Sequence, residues 1–307
     1  MPRAFIVAAC FAVLLGISST ATAQEATPVT GSPTAEASLL AGLGFPDLVV
    51  TTDGATASLP DEVAAGRYRL VVENSSDQLS ADLLMGLPPE GMSAADAIAE
   101  FEASFESEDF GFPELFHEMT FVGGAYALPA TAGDAIVTLG PGEYVVNMST
   151  YSETEDLPGA NILETLNVTG DLPEVEDPTA DVSVTMLEMA FEMPDSIPAG
   201  PHIWSVTNTG AFSHFMIIDS YPTPVTPEQI EATLGMFMGT PAATPEALLN
   251  PDDFIFVGQG QTLSTGQTNW YDFDLAPGQY IAFCFASGPG EVPLHATLGM
   301  YKIFTVE

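Results

Sequence analysis

Four residues late in the 307-residue chain could do chemistry together: His214, Cys284, His295 and Met300. Two imidazoles, a thiol and a thioether are the donor types that hold a single copper ion. Imidazole suits Cu(II), thioether suits Cu(I), and thiolate bonds strongly to both. A mixed set disfavours neither oxidation state, so one-electron transfer through it needs little rearrangement. The chain has two cysteines. Cys10 falls in an N-terminal apolar run that reads as an export signal. After its removal Cys284 is the sole cysteine, so an internal disulfide cannot explain it.

Such residues need a rigid support, and the apolar pattern supplies strands. Tyr68, Leu70 and Val72 alternate, as do Trp204 and Val206, then Phe215 and Ile217. Period two with aromatic and β-branched residues, broken by turns, is the mark of half-buried strands. Pro141-Gly142 and Pro277-Gly278 read as tight turns leading into strands. Two stretches break the pattern with helical signals, Ala94 to Phe105 and Pro227 to Leu234. In the second, Thr226 can cap the helix, Pro227 suits its first position and Gln229 can close a capping box. Many short strands with one helical excursion per unit predict an all-β Greek-key sandwich.

The chain also repeats itself at a shift of roughly 135 residues. Leu59-Pro60-Asp61 through Gly66 matches Met193-Pro194-Asp195 through Gly200. Val72-Glu73-Asn74 matches Val206-Thr207-Asn208, and Phe121-Val122-Gly123 matches Phe256-Val257-Gly258. Leu139-Gly140-Pro141-Gly142 matches Leu275-Ala276-Pro277-Gly278, and Leu166-Asn167-Val168 matches Phe304-Thr305-Val306. The same order and spacing throughout argue for duplication. The expected layout is a signal at 1–23, a flexible leader at 24–44, a first domain at 45–170, an acidic linker at 171–180 and a second domain at 181–307.

Residues 181–307 resemble the cupredoxins, the blue (type 1) copper proteins. The resemblance rests on Asn208-Thr209-Gly210 leading to His214, and on Pro277-Gly278 followed by Cys284, His295, Gly299-Met300 and a terminal strand. It implies two tandem cupredoxin-like sandwiches with one copper ion in the second. His214 and His295 would be equatorial nitrogen ligands, Cys284 the equatorial thiolate and Met300 a weak axial thioether. Two departures stand out. Phe285 to Leu294, ten residues with two Gly and two Pro, separate Cys284 from His295 where small cupredoxins have only a few. Phe215 follows the first histidine where a small polar residue is common.

Each ligand has a plainer use when taken singly. A buried cysteine can serve as a small hydrophobe, a methionine as packing, and a histidine after a turn as a cap. Jointly those uses leave the order of the four residues unexplained. The first repeat acts as an internal control: Ser80 matches His214, Met148 matches Cys284, and 149–170 hold no His or Cys. The first domain is therefore read as a sandwich without copper. His117 reads as a solvated helix end and His202 as a strand-edge residue.

Charge and composition narrow the classes further. Forty-two acids against four bases give a formal net charge of −38, which repels nucleic acid and anionic lipid. Arg3, the apolar run Phe5 to Ile17 and Ala21-Thr22-Ala23 form an export signal cleaved after Ala23. The expected product is secreted or periplasmic, with no membrane insertion after cleavage. Nucleotide-binding glycine loops, zinc-protease helices and Gly-x-Ser-x-Gly elbows are absent. Four histidines are too few for the trinuclear site of a multicopper oxidase. The reading is therefore a redox carrier and not an enzyme, with an unknown redox partner or copper donor. The alternatives are copper storage or delivery, and a metal-free structural or interaction module.

Overall fold

The computed structural model describes residues 38–105, 113–152, 157–237, 248–289 and 293–307. The export signal expected at 1–23 lies outside them. In the first half the strands are β1 (Asp47–Thr52), β2 (Ala57–Ser58), β3 (Glu62–Ala64), β4 (Gly66–Asn74), β5 (Ser80–Leu87), β6 (Thr120–Ala127), β7 (Ala132–Leu139), β8 (Gly142–Tyr151) and β9 (Ala160–Thr169). In the second they are β10 (Val182–Leu187), β11 (Ala190–Glu192), β12 (Ser196–Ile197), β13 (Gly200–Asn208), β14 (His214–Ser220), β15 (Ile255–Leu263), β16 (Thr268–Leu275), β17 (Gly278–Phe283) and β18 (Tyr301–Val306). Alternation holds along them: Leu48, Val50 and Thr52 of β1 are buried, and Asp47, Val49 and Thr51 are exposed.

Three helices interrupt the strands among the described residues: α1 (Ala94–Phe105), α2 (Glu114–Glu118) and α3 (Pro227–Phe237). The capping box forms at α3. Thr226 Oγ1 accepts the Gln229 N–H at 3.4 Å, and Gln229 Oε1 accepts the Thr226 N–H at 3.0 Å. The helix runs past the expected Leu234 to Phe237, through Gly235, a residue type that often ends a helix. None of the described helices is long and apolar enough to cross a membrane.

The strands form two sheets. One runs β11-β10-β13-β16-β7-β4-β1-β2, the other β12-β18-β17-β14-β15-β6-β5-β8-β9-β3. Read outward from the middle, the order is the same in both halves. The halves do not stand apart as separate sandwiches. Trp270 of β16 pairs with Ile136 of β7, and Leu263 of β15 pairs with Val122 of β6. Both sheets thus continue across the halves, and one apolar core extends from Leu48 to Val306. Joining the halves edge to edge removes four exposed strand edges that would otherwise invite aggregation.

The flexible leader expected at 24–44 needs correcting at its end. Residues 39–43 form a 3₁₀ turn. Ser38 Oγ accepts the Leu40 N–H at 3.1 Å, and the Leu39 N–H donates to the Asp272 carboxylate at 2.7 Å. Leu40 is fully buried against Ile136 and Trp270. Burying a leucine where the halves meet, worth about 1.5–3 kcal/mol, outweighs the flexible composition that precedes it.

The basic residues among those described are each held by acids. Arg67 reaches Asp177 and the Glu176 carbonyl of the linker and lies over the Trp270 ring. Arg69 pairs with Asp47 and Asp134, and Lys302 with Asp195. Several acids are instead buried. Burial pushes Asp219 of β14 up to about 8, and its Oδ1 has no hydrogen-bond partner among the described residues. Burial likewise raises Asp82 to about 6 against the Gln259 and Gln261 amides, and Asp134 to about 6 against Ser38 and Arg69.

A carboxyl raised on folding stabilises the fold fully below its unfolded value and loses that contribution as pH climbs to its folded value. For Asp219 the window runs from 3.8 to about 8. Asp219→Asn should therefore raise the thermal midpoint at pH 8 and change it little at pH 4. An equal shift at both pH values would show that Asp219 does not titrate in this window.

Candidate metal centre

Asn208 shapes the loop that delivers the first histidine. It is fully buried at the end of β13. Its amide donates to the Phe212 and Leu263 carbonyls, both at 2.7 Å, and its Oδ1 accepts the Gly210 N–H at 2.9 Å. The chain then enters β14 at His214. Asn74 makes the matching bonds in the first half, to the Leu79 and Leu128 carbonyls and from the Ser76 N–H. The scaffold is the same, but Ser80 begins the next strand and hydrogen-bonds Tyr126.

The other three residues come from the end of the β17–β18 pair. Phe283 and Tyr301 are the last partners in that ladder, so Cys284 and Met300 leave it side by side. The Cys284 N–H donates to the Met300 carbonyl at 3.1 Å, the Met300 N–H to the His295 carbonyl at 2.9 Å, and the His295 N–H to the Ala286 carbonyl at 2.8 Å. His295 opens a 3₁₀ turn ended by Gly299, whose φ of 102° is left-handed backbone that favours glycine. The long Cys–His connection thus folds back and ties its two ends together. Its residues 290–292 lie outside the described ones.

His214, Cys284 and His295 meet inside the protein. The two Nδ1 atoms are 3.0 Å apart, and Cys284 Sγ lies 3.8 Å from that of His214 and 3.7 Å from that of His295. These three side chains and Met300 are all fully buried. Bonds of about 2.0–2.1 Å to imidazole and about 2.3 Å to thiolate set 120° apart would separate N and S by about 3.8 Å. The two N–S distances fit one ion of first-row size.

The protonation states suit that use. Burial, opposed by Glu188, holds His214 below the ordinary histidine value. Burial, and then the charge of His214, lower His295 to about 4. Both rings are neutral near pH 7, the form that binds metals. Neither Nε2 has a hydrogen-bond partner among the described residues.

One residue near the site escaped the sequence reading, and a second lies elsewhere than that reading placed it. Glu188, in the turn between β10 and β11, accepts the N–H groups of Ala211 and Phe212, and its Oε1 lies 3.7 Å from His214 Nε2. Burial would raise Glu188, but its bonds, led by the Phe212 N–H, hold it below the usual value. As one acid among 42 it carries no distinguishing spacing. His117 is not simply a solvated helix end. It lines an 80 Å³ cavity with Asp82, Asn147, Ser213 and Phe215, close enough to contribute to the lowering of His295. His202 stays in β13, with Nε2 donating to the Pro198 carbonyl at 3.0 Å.

No family model and no curated protein matches the sequence. Solved structures do. Auracyanin from Roseiflexus castenholzii is 21% identical, covering 41% of this chain and 94% of its own, with a TM-score of 0.27. Auracyanin A from Chloroflexus aurantiacus, a "blue" copper protein, is 17% identical over 41% and 99%, with a TM-score of 0.24. A copper-containing nitrite reductase from Thermus scotoductus is 8% identical over 85% and 61%, with a TM-score of 0.22. At these values the site's chemistry rests on its own side chains.

Asn208→Ala should cost about 2–3 kcal/mol, because two carbonyls and an N–H lose a buried partner. Urea unfolding would measure it, and a change below about 0.5 kcal/mol would mean the loop holds itself. The chain's fold is a β-sandwich, two facing sheets of mostly antiparallel strands with helical inserts.

Proposed function

We propose that this chain binds one copper ion through His214, Cys284, His295 and Met300 and serves as an extracytoplasmic one-electron carrier. The observation that carries the reading is the buried triangle of two imidazole Nδ1 atoms and one thiol sulfur. Soft thiolate with imidazole favours copper over the hard ions that prefer oxygen donors. Bound copper would supply the redox couple. His214 and His295 would present neutral Nδ1 lone pairs, and Cys284 would give up its proton to bind as thiolate. Met300, buried and fixed by its backbone to Cys284 and His295, would be the weak fourth donor.

The backbone bonds among Cys284, Met300, His295 and Ala286 favour a carrier over a delivery protein. They hold donors in place, as electron transfer requires, whereas metal exchange needs them to open. Full burial of the four side chains favours slow metal release for the same reason. The first half is read as a support without copper: Ser80 and Met148 occupy the matching places, and Met148 packs in the core. The redox partner would be a protein or small donor that does not need a basic surface to dock.

Visible and EPR spectra after adding one equivalent of Cu(II) test the reading. An intense charge-transfer band with a narrow hyperfine pattern is expected. A colourless protein retaining neither Cu(II) nor Cu(I) would sink it. Cys284→Ser should remove the band while far-ultraviolet circular dichroism stays unchanged; colour surviving that change would exclude a thiolate ligand. Met300→Leu should retain copper and shift the potential. Complete loss of copper would show that Met300 is more than a weak donor.

A further inference from the structure

The ring of His214 is bracketed on its two nitrogens by groups of different kind. Nδ1 faces Cys284 and His295. Nε2 is buried, has no hydrogen-bond partner among the described residues, and lies 3.7 Å from Glu188 Oε1. That distance is beyond a hydrogen bond, so the carboxylate acts on the ring chiefly as a charge.

Glu188 is held there by the fold. Its Oε1 accepts the backbone N–H groups of Ala211 and Phe212, inside the loop that delivers His214. A Cβ on residue 210 would come within 2.6 Å of the same oxygen, so Gly210 leaves the room it needs. Met189, next in the chain, takes a φ of 32°, left-handed backbone that non-glycine residues seldom adopt. Such a conformation persists where surrounding contacts over-determine it.

The first half supplies the comparison. Thr52 stands opposite Asn74 in the β1–β4 register, as Met186 stands opposite Asn208 in β10–β13. Two residues further on, Glu188 therefore matches Gly54. The half with Ser80 in place of His214 has no carboxylate in place of Glu188. Charge and imidazole occur together or not at all.

We propose that Glu188 is a positioning residue that keeps His214 in its Nε2–H tautomer, so that the Nδ1 lone pair points at Cys284 and His295. A carboxylate behind the far nitrogen of a metal-binding imidazole fixes its tautomer and raises its basicity. In the metal-free protein, the proton shared across the 3.0 Å Nδ1–Nδ1 contact then belongs to His295. With copper bound, which rests on the function proposed above, the negative charge stabilises Cu(II) relative to Cu(I) and lowers the reduction potential.

The test compares wild type with Glu188→Gln, which keeps an oxygen to accept the two loop N–H groups and removes the charge. Nitrogen-15 NMR of metal-free wild type should show His214 protonated at Nε2, and Glu188→Gln should show both tautomers. The Cu(II)/Cu(I) potential of the variant should rise by about 59 mV for each tenfold loss of preference for Cu(II); about tenfold is expected. Glu188→Asp, retaining the charge, should return the potential toward wild type.

His214 protonated at Nδ1 in the metal-free wild type overturns the proposal. So does a Glu188→Gln variant with wild-type tautomer and potential. Should Glu188→Gln fail to fold, the wild-type tautomer and the Glu188→Asp potential decide. A wild type that takes up no copper removes the function proposed above, while the metal-free tautomer still decides the role of Glu188.

Discussion

The backbone hydrogen bonds that close the end of the β17–β18 pair are the constraint on which the site depends. Cys284 is joined to Met300, Met300 to His295, and His295 to Ala286. Each bond would be modest alone, about 0.5–1.5 kcal/mol net. Together they fix the two ends of the ten-residue connection next to each other. His214 reaches them from a different strand, through a loop fixed by the buried Asn208 amide. Two independent restraints therefore meet at one point, and the sulfur and nitrogens end at ion-sized separations.

That arrangement gathers two imidazoles and a thiol in the interior. Burying polar groups is costly unless they find partners. Here the Nδ1 atoms and the sulfur face one another at 3.0, 3.7 and 3.8 Å. A bound cation would satisfy all three at once. The same geometry explains why the first half can keep the scaffold with Ser80 and Met148: neither leaves a cluster of donors facing one another.

The support around the site is broader than one sandwich. Both sheets cross from one half to the other, and Trp270, Ile136 and Leu40 fill the space where they join. Arg67, from the first half, lies over Trp270 and ties down the acidic linker. A chain with so few cations places them where they fasten segments distant in sequence. Its remaining acids include several that are buried and raised, so parts of the fold gain stability as pH falls. The two buried imidazoles oppose this in the metal-free state, since their lowered values favour the neutral form.

The sequence by itself determined the strand pattern, the helix at Ala94–Phe105, the one that starts at Pro227, and the residue types at His214, Cys284, His295 and Met300. These were legible because period-two alternation, capping residues and donor chemistry are local properties of the chain. Only the tertiary structure decided that the ten-residue connection closes, that the halves share both sheets, and that Ser38 to Leu43 belong to the fold. It alone placed Glu188 behind His214 and His117 beside the cavity. The reason is physical: these contacts join residues that are tens to hundreds of positions apart. Their partners are chosen by edge pairing and burial, which leave no periodic mark on the chain.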